Sequence, residues 1–108
     1  MAALSIQERK RLRQIGHALN PVVMIGGQGL TEAVIEETTR ALNDHELIKI
    51  KVAAEDREAR GEAIDKLAQD TEAEVVQRIG KVALLYKKSK QQNQKLSNLV
   101  RHAHLANK

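Results

Sequence analysis

The chain has 108 residues, of which 42% are apolar, with one proline, a single aromatic residue and no cysteine. That length and apolar content support one modest core and leave almost nothing to bury in a second, while the missing cysteines exclude disulfides and thiol chemistry. The formal charge of +4 divides into +3 over residues 1–29, −7 over residues 30–75 and +8 over residues 76–108, a segregation unlike the mixed surface of an ordinary enzyme.

The opening Met1-Ala2-Ala3-Leu4 is too short for a signal peptide, and no later run is long and apolar enough to cross a bilayer. Ser5-Ile6-Gln7-Glu8 fits a capping box, in which the serine hydroxyl and the Glu8 carboxylate satisfy opposite backbone amides at a helix start. Leu12, Ile15 and Leu19 recur at spacings of three and four and carry that helix over about residues 6–19, with Arg9, Lys10, Arg11 and Arg13 largely on its other sides. Asn20-Pro21 ends it, because proline pushes the residue before it out of the helical region. Residues 22–25 are apolar without alternation and predict a buried strand near the centre of a small sheet.

Gly26-Gly27-Gln28-Gly29 follows at once, a Gly-x-x-Gly loop ahead of a helix over about residues 32–43 that Thr31 can cap. Val34, Ile35, Thr38, Ala41 and Leu42 form its inward stripe, and Asp44 and His45 fall in the turn behind it. Leu47–Val52 alternates with period two, placing Ile48, Ile50 and Val52 on one face and Leu47, Lys49 and Lys51 on the other. Asp56 caps a third helix over about residues 57–69, with Ala59, Ala63, Ile64 and Leu67 inward and Gly61 weakening its middle.

Residues 73–79 and Val82–Tyr86 then form two strands joined at Gly80-Lys81, a connection suited to an antiparallel hairpin, with Val75, Gln77 and Ile79 sharing one side of the first. After Ser89 the sequence turns polar, and only Leu96, Leu99, Val100 and Leu105 offer later contacts. Residues 89–108 therefore read as a basic tail that is either loosely ordered or a short amphipathic helix formed on binding. The order αβαβαββ, two helical crossovers before a hairpin, predicts an α/β fold: a compact mixed four-stranded sheet with helices mainly on one face.

The glycine loop is the feature that points to function. Glycines let a backbone approach a phosphate closely, the amides at the Thr31 helix start add donors, and Gln28 is free to make a contact of its own. The same glycines also read as a tight turn required by chain geometry. The Gly-Lys-Ser/Thr ending that would make a triphosphate site is missing. If the two basic segments meet in space, they form one cationic face beside an acidic back, and a polyanion is the natural partner. Lipid is a poor rival, since neither basic segment has a large aromatic-rich apolar face.

Arg9 and Arg13, four apart on one helix, can reach phosphates on the same backbone, whereas Lys10 and Arg11 add to the field. Lys49 and Lys51 belong to the sheet's polar side, and Lys81, Lys87 and Lys88 bracket the last strand. Taken singly, each also reads as an ordinary solvated side chain. Tyr86, the one aromatic residue, is expected at the core edge and is too little for recognition of unpaired bases by stacking. His17, His45, His102 and His104 show no convincing metal-ligand spacing in the ordered part, although His102 and His104 could touch a metal from their polar tail, and Asp44-His45-Glu46 has no associated nucleophile. Neither catalysis nor a cofactor is expected.

Three blocks, residues 19–32 with Asn20-Pro21 and the Gly-x-x-Gly loop, residues 45–51, and residues 79–86 with Gly80-Lys81, resemble in order and spacing the CRM family, named for chloroplast RNA splicing and ribosome maturation. The nearest likeness is to its stand-alone bacterial YhbY-like members, and it covers residues 4 to about 88. It implies a fold similar to the C-terminal domain of translation initiation factor three and binding of highly structured RNA. For the bacterial members it further implies association with precursors of the large ribosomal subunit. Carried onto this chain, the family's loop is Gly26, Gly27, Gln28 and Gly29, and the RNA-facing surface draws on Arg9, Lys10, Arg11, Arg13, Lys49, Lys51, Lys81, Lys87 and Lys88.

The resemblance thus makes residues 1–88 a CRM-like RNA-binding domain and gives residues 89–108 no role. The expected protein is a cytoplasmic monomer that is no enzyme, meets no membrane and holds structured rRNA in a large-subunit precursor through phosphate contacts. Two rival readings are an assembly module whose acidic residues 32–62 contact a basic ribosomal protein, and a general RNA chaperone.

Overall fold

The computed structural model describes residues 4–104; the start of the chain before Leu4 and, in the tail, Leu105 lie outside the described residues. Helix α1 (Ile6–Gly16) begins on the expected capping box, with Ser5 Oγ accepting from the Glu8 amide and Glu8 Oε1 accepting from the Ser5 amide, each at 3.1 Å. The bond from the Ser5 amide, and after it the nearby Ser5 hydroxyl, favours the ionised carboxylate and holds the Glu8 pKa below its ordinary value.

The helix stops at Gly16 rather than continuing to Leu19. Gly16 lies directly on the sheet, where any Cβ would overlap the buried Leu84 side chain, so the backbone itself makes the contact. Gly16→Val is expected to lower stability by about 1–3 kcal/mol, the usual effect of overpacking a core, read as a lower urea midpoint with an unchanged slope. Ala18 and Leu19 donate back to the Ile15 and Gly16 carbonyls, and the chain turns into β1 (Pro21–Ile25).

The expectation of a central strand here is corrected by the sheet order, β1-β2-β4-β3, in which β2 is Leu47–Val52, β3 Glu74–Ile79 and β4 Val82–Tyr86. β1 is an edge strand whose Val22 and Met24 are 47% and 60% exposed, and only Val23 and Ile25 are buried. An apolar run does not require cover on both faces, and α1 ends too early to cover this one.

Helix α2 (Glu32–His45), capped by Thr31, joins β1 to its parallel neighbour β2. Helix α3 (Arg57–Thr71), capped by Asp56, joins β2 to β3, and both of those strands run antiparallel to β4 between them. Both crossovers step the same way across the sheet, so right-handed connections put both helices on one face. Val23, Ile25, Leu42, Ile48, Ile50, Val52, Ile64, Leu67 and Leu85 form the main core beneath them. On the opposite face, Leu12 and Ile15 of α1 meet Leu47, Val76 and Leu84 in a smaller cluster.

Two local expectations also give way. A bulge between Val75 and Gln77 leaves Val75 against the main core while Gln77 and Ile79 line a cavity beside Gly16, so strict alternation along β3 fails. Helix α2 runs on through Asp44 and His45, and the turn falls to Glu46, a non-glycine residue at φ 62°. Beyond β4 the chain returns to the α1 side, where helix α4 (Asn98–Arg101), capped by Ser97, brings Leu99 against the smaller cluster.

Candidate functional site

The loop at residues 26–29 leaves the end of β1 and closes on itself, Gly29 N–H donating to the Gly26 carbonyl at 3.0 Å. Gly29 has φ +74°, a conformation strained for any side chain, so chain geometry accounts for that glycine. It does not account for the other two. Gly26 and Gly27 are exposed, neither has a positive φ, and a Cβ on either would meet nothing within 4 Å. Their missing side chains bring the free fold no packing benefit and leave bare backbone open to a closely approaching group. Gln28 is exposed beside them, and Thr31 Oγ1 accepts from the Val34 amide at 3.2 Å where α2 begins.

The exit of β2 and the β3–β4 turn lie at the same end of the sheet, since Ala53 N–H donates to the Ile25 carbonyl at 2.9 Å and Val52 N–H to the Lys81 carbonyl at 2.7 Å. Met24, Lys51, Val82 and Ile79 stand in register across all four strands here. Met24 and Ile79 are 60% and 61% exposed, and Lys51 is exposed between them. One step further in, His17, Lys49 and Gln77 surround a cavity of about 280 Å³ that ends against Gly16. This half of the face is open because α1 stops where it does.

The predicted cations occupy different situations. Lys10, Arg11, Lys51 and Lys88 are exposed, Arg13 and Lys49 are half-buried, and none of the six makes an ion pair among the described residues. Arg9 is engaged within the fold, its guanidinium donating to Glu74 Oε2 and to the Val75 carbonyl, each at 3.0 Å. Lys81 meets Glu55 at 3.1 Å and Lys87 meets Glu72 at 3.7 Å. Part-exposed pairs of this kind are worth at most about 1 kcal/mol, so a phosphate can compete for the two lysines, while Arg9 has a backbone bond to lose as well.

Position separates these residues further. Lys51 and Lys81 lie at the glycine loop's end of the sheet, both on its inner side, whereas Arg9, Lys87 and Lys88 lie at the far end, where Glu74 pairs with Tyr86. The segregation of charge along the chain becomes only partly a segregation in space: α1, α4, Lys49 and Lys51 share one face and α2 and α3 cover the other, but Arg78, Lys81 and Lys87 of the basic segment pair with Asp65, Glu55 and Glu72 around α3. Tyr86 packs at the edge of the smaller cluster, and burial, followed by the carboxylates of Glu46 and Glu8, raises its pKa. Among the described residues no group of three or more His, Cys, Asp or Glu is placed to hold a metal, and no helix is long and apolar enough to cross a membrane.

Sequence reasoning missed Glu46. Its side chain is 2% exposed and accepts from the Ser89 amide at 3.0 Å, Gln92 Nε2 at 2.6 Å and Ser97 Oγ at 2.8 Å, while its carbonyl accepts from the Lys87 amide at 2.9 Å. Ser89 Oγ also donates to the Asn43 carbonyl, and Asn98 Nδ2 to that of Leu47. His45 Nδ1 lies 2.8 Å from the Leu96 carbonyl, which can only accept, so the ring proton is on that nitrogen. The signal was a carboxylate directly ahead of a strand with buried residues, which must find donors somewhere, and a tail rich in Ser, Gln and Asn that supplies them.

The CRS1/YhbY (CRM) domain model matches residues 4–87. Over 101 residues the chain is 46% identical to a protein of Pseudomonas aeruginosa named a probable RNA-binding protein, covering 94% of this chain and 97% of that one. It is 47% identical over 91 residues to an RNA-binding protein of Haemophilus influenzae, covering 84% and 92% of the two. The solution structure of a hypothetical protein from Staphylococcus aureus, described as a candidate RNA-binding protein, matches with a TM-score of 0.70 at 30% identity, over 87% of this chain and 98% of that one. The family match runs from α1 through β4 and takes in the whole glycine loop, and the chain belongs to the CRS1/YhbY (CRM) domain family.

Proposed function

We propose that this protein binds structured RNA through the loop at residues 26–29 and the open basic half of its sheet, and that its target is rRNA in a precursor of the large ribosomal subunit. The observation that carries the reading is the pair Gly26 and Gly27, bare and unstrained beside Lys51 and the start of α2. A group that must come within backbone distance of a cationic surface is a phosphate. The names of the relatives support RNA as the polyanion, and the resemblance to bacterial family members supports ribosome assembly as the setting. With Tyr86 tucked at the far end of the sheet, recognition works by shape and phosphate rather than by stacking. The protein acts as a cytoplasmic monomer that holds one RNA conformation during assembly, without a chemical step or a cofactor.

The test compares precursor rRNA, mature rRNA and protein-containing precursor particles across a salt series. With about four phosphates engaged, affinity for precursor rRNA falls about a hundredfold for a fourfold rise in salt. A flat salt response removes the phosphate mechanism. Particle association that persists after nuclease digestion transfers the function to protein contact, for which the acidic face of α2 and α3 is the available surface. Equal affinity for all RNAs makes the protein a general chaperone.

A further inference from the structure

On the α1 side of the sheet the tail does more than cover apolar surface. Where α4 meets the start of β1, a cavity of about 290 Å³ opens among Asn20, His45, Lys49, Asn98, Arg101 and His102. Its polar lining comprises two cations, two imidazoles and two carboxamides, and none of its lining residues is acidic. In a chain with 14 acidic side chains, a recess of that composition selects an anion.

Neither cation is already neutralised. Arg101 is exposed, Lys49 is half-buried, and neither makes an ion pair among the described residues. The buried carboxylate in this region, Glu46, spends its oxygens on Ser89, Gln92 and Ser97. His45 is held at the rim by its Nδ1–H bond to the Leu96 carbonyl, and its Nε2, a lone pair in the neutral ring, is no donor, so the anion's partners are Arg101 and Lys49. An arginine on one wall and a lysine on another match the charge and fork geometry that a phosphate diester requires.

We infer that this cavity is a second phosphate site, built jointly by the tail and the sheet, and that it takes an internal phosphodiester of the RNA whose neighbouring phosphates meet the glycine loop. The inference rests on the RNA-binding reading above. Strand β1 links the two places: Val22 lines the cavity and Gly26 opens the loop, a separation of roughly 13 Å at the usual strand rise, which one RNA segment can bridge.

The test uses the full chain and one structured rRNA fragment, prepared with and without a 5′-phosphate. Arg101→Gln is expected to weaken binding about tenfold and to lower the log–log salt slope by about one, whichever end the RNA carries, with the thermal midpoint unchanged. Arg101→Lys restores the slope because the charge remains, and Lys66→Gln, on the helix across the sheet and paired with Asp70, changes neither quantity. Wild-type affinity and slope in Arg101→Gln overturn the second site while the RNA reading stands. A loss confined to 5′-phosphorylated RNA overturns the internal phosphodiester, and a midpoint that falls in step with affinity makes Arg101 structural. If the wild-type chain binds no RNA at low salt, the underlying reading falls instead.

Discussion

Gly27→Val leaves folding stability within about 0.5 kcal/mol of wild type yet weakens RNA binding about ten- to a hundredfold, whereas Gly29→Val lowers both. The contrast follows from the two backbones. A side chain at residue 27 meets nothing within 4 Å and needs no unusual φ, so the free protein has no reason to object to it. At φ +74°, a β-branched side chain at residue 29 brings strain of about 1–2 kcal/mol and distorts the turn closed by the Gly26 carbonyl. Thermal unfolding and fluorescence anisotropy on the same preparations separate the effects. If folded Gly27→Val binds as the wild type does, the loop's bare backbone faces no ligand, and the glycines at 26 and 27 have no functional explanation.

Much of the fold was legible because its signals are local. Ser5 with Glu8, Thr31 and Asp56 all cap the helices they were expected to cap, since a cap is satisfied within three residues of itself. The alternation of β2 sorts Ile48 and Ile50 from Lys49 as expected, because register with the helices above leaves no other arrangement. The glycine loop was legible as a loop, but only the backbone angles separate Gly29, which the turn requires, from Gly26 and Gly27, which it does not.

The features that stayed hidden depend on residues far apart in the chain. The edge position of β1 is set by the pairing of strands far apart in the chain, and its uncovered face by the early end of α1, where Gly16 meets Leu84. Arg9 looked like a free cation until folding set it against Glu74 and Val75. The tail looked unattached because its anchor, Glu46, stands between a helix and a strand and resembles any turn residue.

That anchor leads to a result whose sign is informative. Glu46→Ala removes the acceptor for the Ser89 amide, Gln92 Nε2 and Ser97 Oγ at once, and the hydroxyl of Ser97 is fully buried. Hydrogen bonds to a charged group contribute about 1.5–3 kcal/mol net, and the abandoned donors must either stay dry and unpaired or carry the tail into water. The second outcome is the less costly, because few apolar contacts besides that of Leu99 hold the segment.

Stability therefore falls by about 3 kcal/mol, tryptic cleavage after Lys88, Lys90 and Lys95 accelerates, and hydrogen exchange rises at Ser89 and Ser97 while Ile50 and Leu85 stay protected. Simple charge counting says that deleting a carboxylate from an RNA-binding protein should strengthen binding. If the tail forms one wall of a phosphate site, losing its anchor disperses Arg101 and His102, and affinity drops although Glu46 is buried and touches no RNA. Tighter binding by Glu46→Ala, or a tail as protected as before, would show that the buried carboxylate does not hold the tail's cations in place for RNA.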